Sequence, residues 1–244
     1  MTNPTRDAAR QSDKTYGKLH RRLFEGRAGF FTVSMTIAVL IGGVAELVPF
    51  FTADYTPEQG GWVTPYTPLE VAGRDIYVRE GCYTCHSQMV RPMRAELLRY
   101  GEWTRAAEYR YDRPFQLGSR RIGPDLQRIG GKYPDAWHYE HMRDARSTSP
   151  GSIMPNYSWL HENTIDPDDV TRSVRALQRV GTPYTGDLEG GVPMSLQGQG
   201  EEIVSRLAEA QIETTWDREI VALIAYLQRL GRDGNAYLSQ EDSQ

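Results

Sequence analysis

Residues 28–51, AGFFTVSMTIAVLIGGVAELVPFF, divide this chain more sharply than any other feature. Ala28 to Ala45 is an uncharged run of 18 residues, and with Glu46 tolerated the apolar stretch reaches Phe51, 24 residues in all. At about 1.5 Å per residue a helix of that length spans roughly 36 Å, enough for a hydrocarbon core of about 30 Å. The stretch therefore predicts a transmembrane helix in contact with membrane lipid. A buried core helix is the first alternative, but helices apolar on every face are uncommon in soluble domains. A cleaved signal peptide is the second, with Gly43 and Ala45 as small residues near a cut. The basic region before the run is long, and Pro49-Phe50-Phe51 carries the run past that point, so an uncleaved anchor is the better reading.

Charge gives the anchor a direction. Residues 1–27 hold seven Lys/Arg against three acids, and residues 28–51 hold Glu46 and no basic residue. The remainder holds 21 Lys/Arg against 28 Asp/Glu. A basic flank on one side only predicts a cytoplasmic N-terminus at 1–27 and a large part outside the cytoplasm. In a bacterium this is a single-pass protein of the inner membrane with a periplasmic domain. The organisation expected is an anchor at 28–51, a Pro/Gly/Thr-rich linker at 52–67, a folded domain at 68–231 and a polar, frayed tail at 232–244. A net charge of −4 over 244 residues argues against nucleic acid as a partner. With 39% hydrophobic and 25% charged residues, the chain is too polar for several spans and too apolar for disorder.

The chemistry is concentrated in Cys82-Tyr83-Thr84-Cys85-His86, a C-x-x-C-H motif that uses both cysteines of the chain. Two thiols three residues apart lie on one turn and can each add to a vinyl group of one haem, with the adjacent histidine facing the iron. The motif reads as c-type haem attachment. A thioredoxin-like redox pair would sit near a βαβ pattern, and the sequence has none. Haem c is attached outside the cytoplasm, in agreement with the topology read from charge.

Iron held by His86 needs a second axial ligand or an open site. Beyond the anchor stand Met89, Met93, Met142, Met154 and Met194. Met89 and Met93 follow His86 too closely to reach the opposite haem face. Met154 lies in Pro150-Gly151-Ser152-Ile153-Met154-Pro155-Asn156, a loop-forming context in which Pro155 holds Met154 extended. His/Met ligation raises the potential and suits electron transfer. Met154 is the expected distal ligand, with His138, His141 and His161 as runners-up. A proximal histidine also needs an acceptor to fix its tautomer, and the Pro124 carbonyl in Gly123-Pro124-Asp125-Leu126 is the expected one. Arg120, Arg121, Tyr133 and Trp137 are candidates for the haem propionates.

Helical spacing frames the motif. Leu69, Ala72, Gly73, Ile76 and Tyr77 fall on one face of a helix starting at Pro68. Ile220, Leu223, Ile224 and Leu227 do the same in a helix from about Asp217 to Leu230, stopped by Gly231. Gly73 would admit the second helix closely, with Tyr226 packed there. A third helix is expected from Pro167 to Val180 after Asp166 as N-cap. The glycines between 181 and 200 predict a loop.

Longer runs of residues carry a family resemblance. Gly73-Arg74-Asp75-Ile76-Tyr77, then Glu80-Gly81-Cys82 through His86-Ser87-Gln88-Met89-Val90-Arg91-Pro92, resemble the mono-haem subunit II (FixO/CcoO family) of cbb3-type cytochrome c oxidases. Gly118-Ser119-Arg120-Arg121, Gly123-Pro124-Asp125-Leu126, Gly130-Gly131-Lys132-Tyr133, Trp137-His138, Met154-Pro155 and Trp159-Leu160 add to it. The likeness loosens after about residue 183, and the stretch 185–216 is longer than usual. The resemblance implies a mainly α chain: one transmembrane helix, then a class I cytochrome c-like domain with a long insertion, Arg91–Arg120. It implies one covalent haem c bound by Cys82, Cys85, proximal His86 and distal Met154. The implied partners are a catalytic haem–copper subunit that reduces oxygen to water and a dihaem cytochrome c subunit that delivers electrons. This chain itself would perform no bond chemistry. The alternatives are a free-standing membrane-anchored cytochrome, the cytochrome subunit of a nitric oxide reductase, or a haem sensor with an open sixth position.

Overall fold

The computed structural model describes residues 26–52, 61–118 and 120–241. Residues 1–25 of the basic head, residues 53–60 of the linker, Ser119 and the last three residues lie outside them. The chain divides into two units, 1–54 and 55–244.

The first unit contains helix α1, Ala28–Thr52. Within it, 22 residues from Ala28 to Pro49 have the length and composition to cross a membrane. Its hydroxyls are satisfied inside the helix: Thr32, Ser34 and Thr36 donate to the carbonyls of Ala28, Phe30 and Thr32 at 2.9, 2.9 and 2.8 Å. No polar group of these side chains is left for lipid to solvate.

The described residues of the second unit are built from helices joined by long irregular segments. Its elements are α2 (Pro68–Arg79), α3 (Arg94–Tyr100), α4 (Asp135–Arg143), α5 (Ala145–Thr148), α6 (Pro167–Arg179), α7 (Leu188–Glu209), α8 (Glu219–Arg229) and α9 (Arg232–Glu241). Among the described residues the β pairing is one isolated bridge, Thr164 to Arg218. Helix α2 begins at a capping box in which the Thr67 amide donates to the Glu70 carboxylate at 2.7 Å. It crosses α8 at Gly73, where a Cβ would lie 1.9 Å from the Ala222 carbonyl oxygen and 2.8 Å from Tyr226 Cβ. Only glycine lets the two backbones meet this closely. Leu69, Ile220, Leu223 and Ile224 fill the crossing and are fully buried. The third expected helix is also present, with the Asp166 side chain accepting from the Asp168 amide at 2.9 Å.

Two sequence expectations are corrected. The glycine-rich stretch expected as a loop forms much of α7, capped by Asp187. Val192, Leu196, Ile203 and Leu207 make a buried stripe along it, and Gly200 lies where a Cβ would be 2.8 Å from Trp216. Burial of that stripe overrides the poor helix propensity of glycine. The expected frayed tail is helix α9, held through Asp233, which accepts from Arg229 at 2.6 Å and from the Thr64 amide at 2.7 Å. The Trp62 and Tyr237 rings stack at 4.7 Å, so the described end of the linker also packs on the domain.

Candidate haem site

Helix α2 delivers the motif. It ends at Glu80, Gly81 turns the chain at φ 71°, and Cys82–Thr84 form a single 3-10 turn. The His86 amide donates to the Cys82 carbonyl at 3.0 Å, which places His86 one turn beyond the first cysteine. Both thiols are half-buried and neither is in a disulfide. Burial, with the Glu80 charge adding to it, pushes the Cys82 thiol up to about 12. A redox-active pair needs the opposite, a thiol whose pKa is lowered.

The His86 ring is fixed from behind. Its Nδ1 lies 2.8 Å from the Pro124 carbonyl oxygen; a carbonyl only accepts, so Nδ1 carries the proton and Nε2 keeps its lone pair. Burial lowers the imidazole below its ordinary pKa of 6.5 against the opposing pull of that hydrogen bond. It is thus neutral, the form that ligates a metal. A Cβ on Gly123 would lie 2.2 Å from His86 Cε1, so the glycine backbone is the surface against which the ring rests.

A polar network holds this backing in place. Asp125, its side chain fully buried, accepts from Ser87 Oγ at 2.6 Å, from the Met89 amide at 2.8 Å and from the Gln127 amide at 2.9 Å. Arg121 closes the network, donating through Nη2 to the Met89 carbonyl and to Glu96, both at 2.8 Å, and through Nε to Ser87. Arg121, a sequence candidate for a propionate, thus has much of its donor capacity taken up inside the protein. Arg120 is exposed.

The expected distal residue sits on a loop after α5. Met154 is half-buried and packs against the core. Its amide donates to Ser152 Oγ at 3.2 Å, and the Tyr157 amide anchors the loop to the Met142 carbonyl at 2.8 Å. Burial first, then electrostatic interaction with Cys82 and Cys85, raises the Tyr157 phenol. The other methionines divide by surroundings: Met142 is in the core, Met93 and Met194 are exposed, and the Met89 amide is tied to Asp125.

The runner-up histidines also have defined surroundings. His161 Nε2 lies 3.0 Å from the Tyr139 carbonyl oxygen. His138 is buried, with no partner on Nε2. His141 Nδ1 lies 2.6 Å from Thr148 Oγ1, and burial followed by the charge of His86 lowers its pKa. Tyr133, Trp137 and His141 stack in series at 4.1 and 4.4 Å along α4. This gives the pocket neighbourhood a flat aromatic ladder.

The set of groups suits one haem: two unpaired thiols on one turn, a neutral imidazole with Nε2 available, and a thioether on a nearby loop. Sequence reasoning named the thiols, His86, Pro124 and Met154. It did not single out Gly123 as the surface behind the ring, nor the Asp125 network, although both lie within a quoted run. A comparison with curated proteins gives no significant match. Residues 20–233 match the family described as "Cytochrome C oxidase, mono-heme subunit/FixO". That match spans the whole of α1 and the helical unit up to the start of α9, and the chain belongs to this family of mono-haem subunits of cytochrome c oxidase.

Proposed function

We propose that this chain is the electron-entry subunit of a cbb3-type haem–copper oxidase, carrying one covalent haem c on the periplasmic side. The observation that carries this reading is the His86 geometry: Nδ1 committed to the Pro124 carbonyl and the ring backed by Gly123, one turn from two free thiols. Cys82 and Cys85 would hold the haem through thioether bonds, and His86 and Met154 would ligate its iron. Haem iron supplies a reversible one-electron change, and the protein sets its orientation and potential. Pro124 fixes the tautomer and raises the basicity of His86. Gly123 and the Asp125 network keep the ring from turning. Arg121 braces the segment that follows the motif, and its Nη1 would be the group left to donate to a propionate.

The basic flank at 1–27 keeps the N-terminus in the cytoplasm, α1 anchors the chain in the inner membrane, and the helical unit works in the periplasm. Electrons arrive from a dihaem cytochrome c subunit and leave to the catalytic subunit, where oxygen is reduced to water. No residue of this chain does bond chemistry.

The test is a haem count on protein purified from its native membrane in mild detergent. Haem b recovered with haem c, and oxygen uptake by the same sample, is the expected result. Haem c alone, under conditions that preserve membrane complexes, would replace this reading with a free-standing carrier. Haem b with nitric oxide consumption and no oxygen uptake would replace it with a nitric oxide reductase subunit.

A further inference from the structure

The insertion between the haem motif and Gly123 has charges sorted by depth. Residues 91–121 hold eight arginines, no lysine and four carboxylates, inside a body that is otherwise strongly acidic. Three of the four carboxylates turn inward. Glu96 receives Arg91 and Arg121, Glu108 receives Arg128 at 2.7 Å, and Asp112 receives Arg74 at 3.2 Å. Arg94, Arg99 and Arg120 remain exposed with no carboxylate partner among the described residues.

Helix α3 shows the sorting most clearly. Glu96 is its buried residue. Arg94 and Leu98, four residues apart and so on one face, point outward. Leu98 is 79% exposed and Met93 just before the helix is 53% exposed. An exposed leucine on the face of Arg94, with Arg99 next to it in the chain, is an apolar centre with cationic neighbours.

The segment is also clamped to the haem motif. Thr104 and Val90 exchange two hydrogen bonds of 2.9 Å, one through the Thr104 side chain. The Gln88 amide donates to the Leu117 carbonyl at 2.8 Å, and a Cβ on Gly118 would lie 2.9 Å from the His86 carbonyl oxygen. A load on this face is therefore borne by the backbone that presents His86.

We propose that the Met93–Arg99 face docks on the haem b-bearing catalytic subunit of the oxidase, into an acidic surface with an apolar recess that takes Leu98. Charge complementarity sets the sign of the partner. Composition sets its class: arginine, methionine and aromatic residues are enriched at protein interfaces and lysine is depleted. The segment has exposed Met93 and half-buried Tyr100, Trp103 and Tyr111 beside its arginines. The guanidinium fork also pairs with carboxylates in two-bond geometry that lysine lacks. This inference rests on the chain's place in an oxidase complex.

The experiment compares wild type, Arg94→Glu/Arg99→Glu and Leu98→Ser, each expressed as the full tagged chain in its native membrane. The haem b recovered per haem c is measured across a salt series. The charge reversal is expected to lower haem b recovery at least ten-fold at physiological salt, and Leu98→Ser several-fold, with the haem c spectrum and Tm unchanged. Arg94→Lys/Arg99→Lys should recover part of the loss. Equal recovery in wild type and variants overturns the proposal. So does a variant that keeps haem b but no longer floats with phosphatidylglycerol vesicles, which assigns the face to lipid. A variant that keeps haem b but yields a particle one haem c chain smaller assigns it to a second copy. Wild type that lacks haem b overturns the electron-entry reading, and this proposal with it.

Discussion

The two sides of the candidate site are built by different means. The proximal wall, residues 82–90 and 121–127, is a lattice of short hydrogen bonds around the buried Asp125 carboxylate, with Gly123 pressed on the imidazole. The methionine loop, 150–157, turns at Gly151 with φ 82°, leaves Ile153 78% exposed, and ties Met154 down through one long bond to Ser152. The wall is held by the protein's own hydrogen bonds. The loop is an arm whose thioether can adjust, and methionine is the side chain best suited to that. Substitutions in the wall should therefore cost assembly, and substitutions in the loop should cost ligation and leave assembly intact.

Gly123→Ala tests the wall most severely. The new Cβ meets the His86 ring at 2.2 Å and a backbone-fixed glycine cannot retreat, so the imidazole must swing off its Pro124 bond. Holo-protein, read as haem-stained band per unit of chain, should fall more than ten-fold. A normal yield with an unchanged visible spectrum would mean that the wall is as compliant as the loop.

Asp125→Ala comes next. It strips an acceptor from Ser87 and from two backbone amides and leaves Glu96 as the one carboxylate beside Arg121 among the described residues. Buried donors left without partners should cost about 3 kcal/mol, a fall in Tm of about 6–12 °C. Thermal unfolding followed by circular dichroism checks it, and a fall of only a degree or two would show that the network is not what stiffens the wall.

Met154→Ala should be milder on the fold, about 1–2 kcal/mol for a half-buried side chain. It should instead change the visible spectrum through loss of a thioether ligand and lower the midpoint potential. A spectrum identical to wild type would move the distal position to His138 or His141.

The contrast between wall and loop was only partly legible in the sequence. The ligand residues announce themselves because motif chemistry is local: C-x-x-C-H and the Pro before Asp125 carry their meaning within a few positions. The α2–α8 crossing was legible too, because a glycine at a helical a/d-like spacing has one obvious use. The wall's stiffness was not, since Ser87, Met89, Glu96, Arg121 and Asp125 come together only after the insertion folds back. Helix α7 was hidden for a related reason. Its glycines signal a loop locally, whereas Val192, Leu196, Ile203 and Leu207 keep a helical stripe that pays off only against the rest of the core. That stripe was the signal available, and glycine count masked it.

Acid should separate the two sides last and most gently. Helix α4 backs the methionine loop through the Met142 carbonyl, and it carries His138. Burial, opposed by Asp135 and reinforced by His141, lowers His138 from 6.5 to about 4. Between those values the unfolded state binds a proton that the folded state refuses. His138 therefore leaves stability intact above pH 6.5 and removes it as pH falls toward 4, at most about 1.4 kcal/mol per pH unit. The wall carries the opposite group. Burial raises the Glu96 carboxyl, but hydrogen bonds from Arg121 and Arg91 outweigh it and hold the group down at about 2 against an ordinary 4.5. Its contribution is whole above pH 4.5 and is lost only as pH falls from there through about 2. Amide exchange protection, corrected for intrinsic rates, should therefore decline first in α4 and residues 150–157, from pH 6.5 downward. In the haem-loaded protein, where iron would keep the buried His86 from taking up a proton, residues 87–91 and 121–127 should hold until below pH 4.5. His138→Gln should erase the first decline and Glu96→Gln the second. Both sides losing protection together from pH 6.5 would break the comparison, because one cooperative unit would then span the two walls that these hydrogen-bond patterns separate.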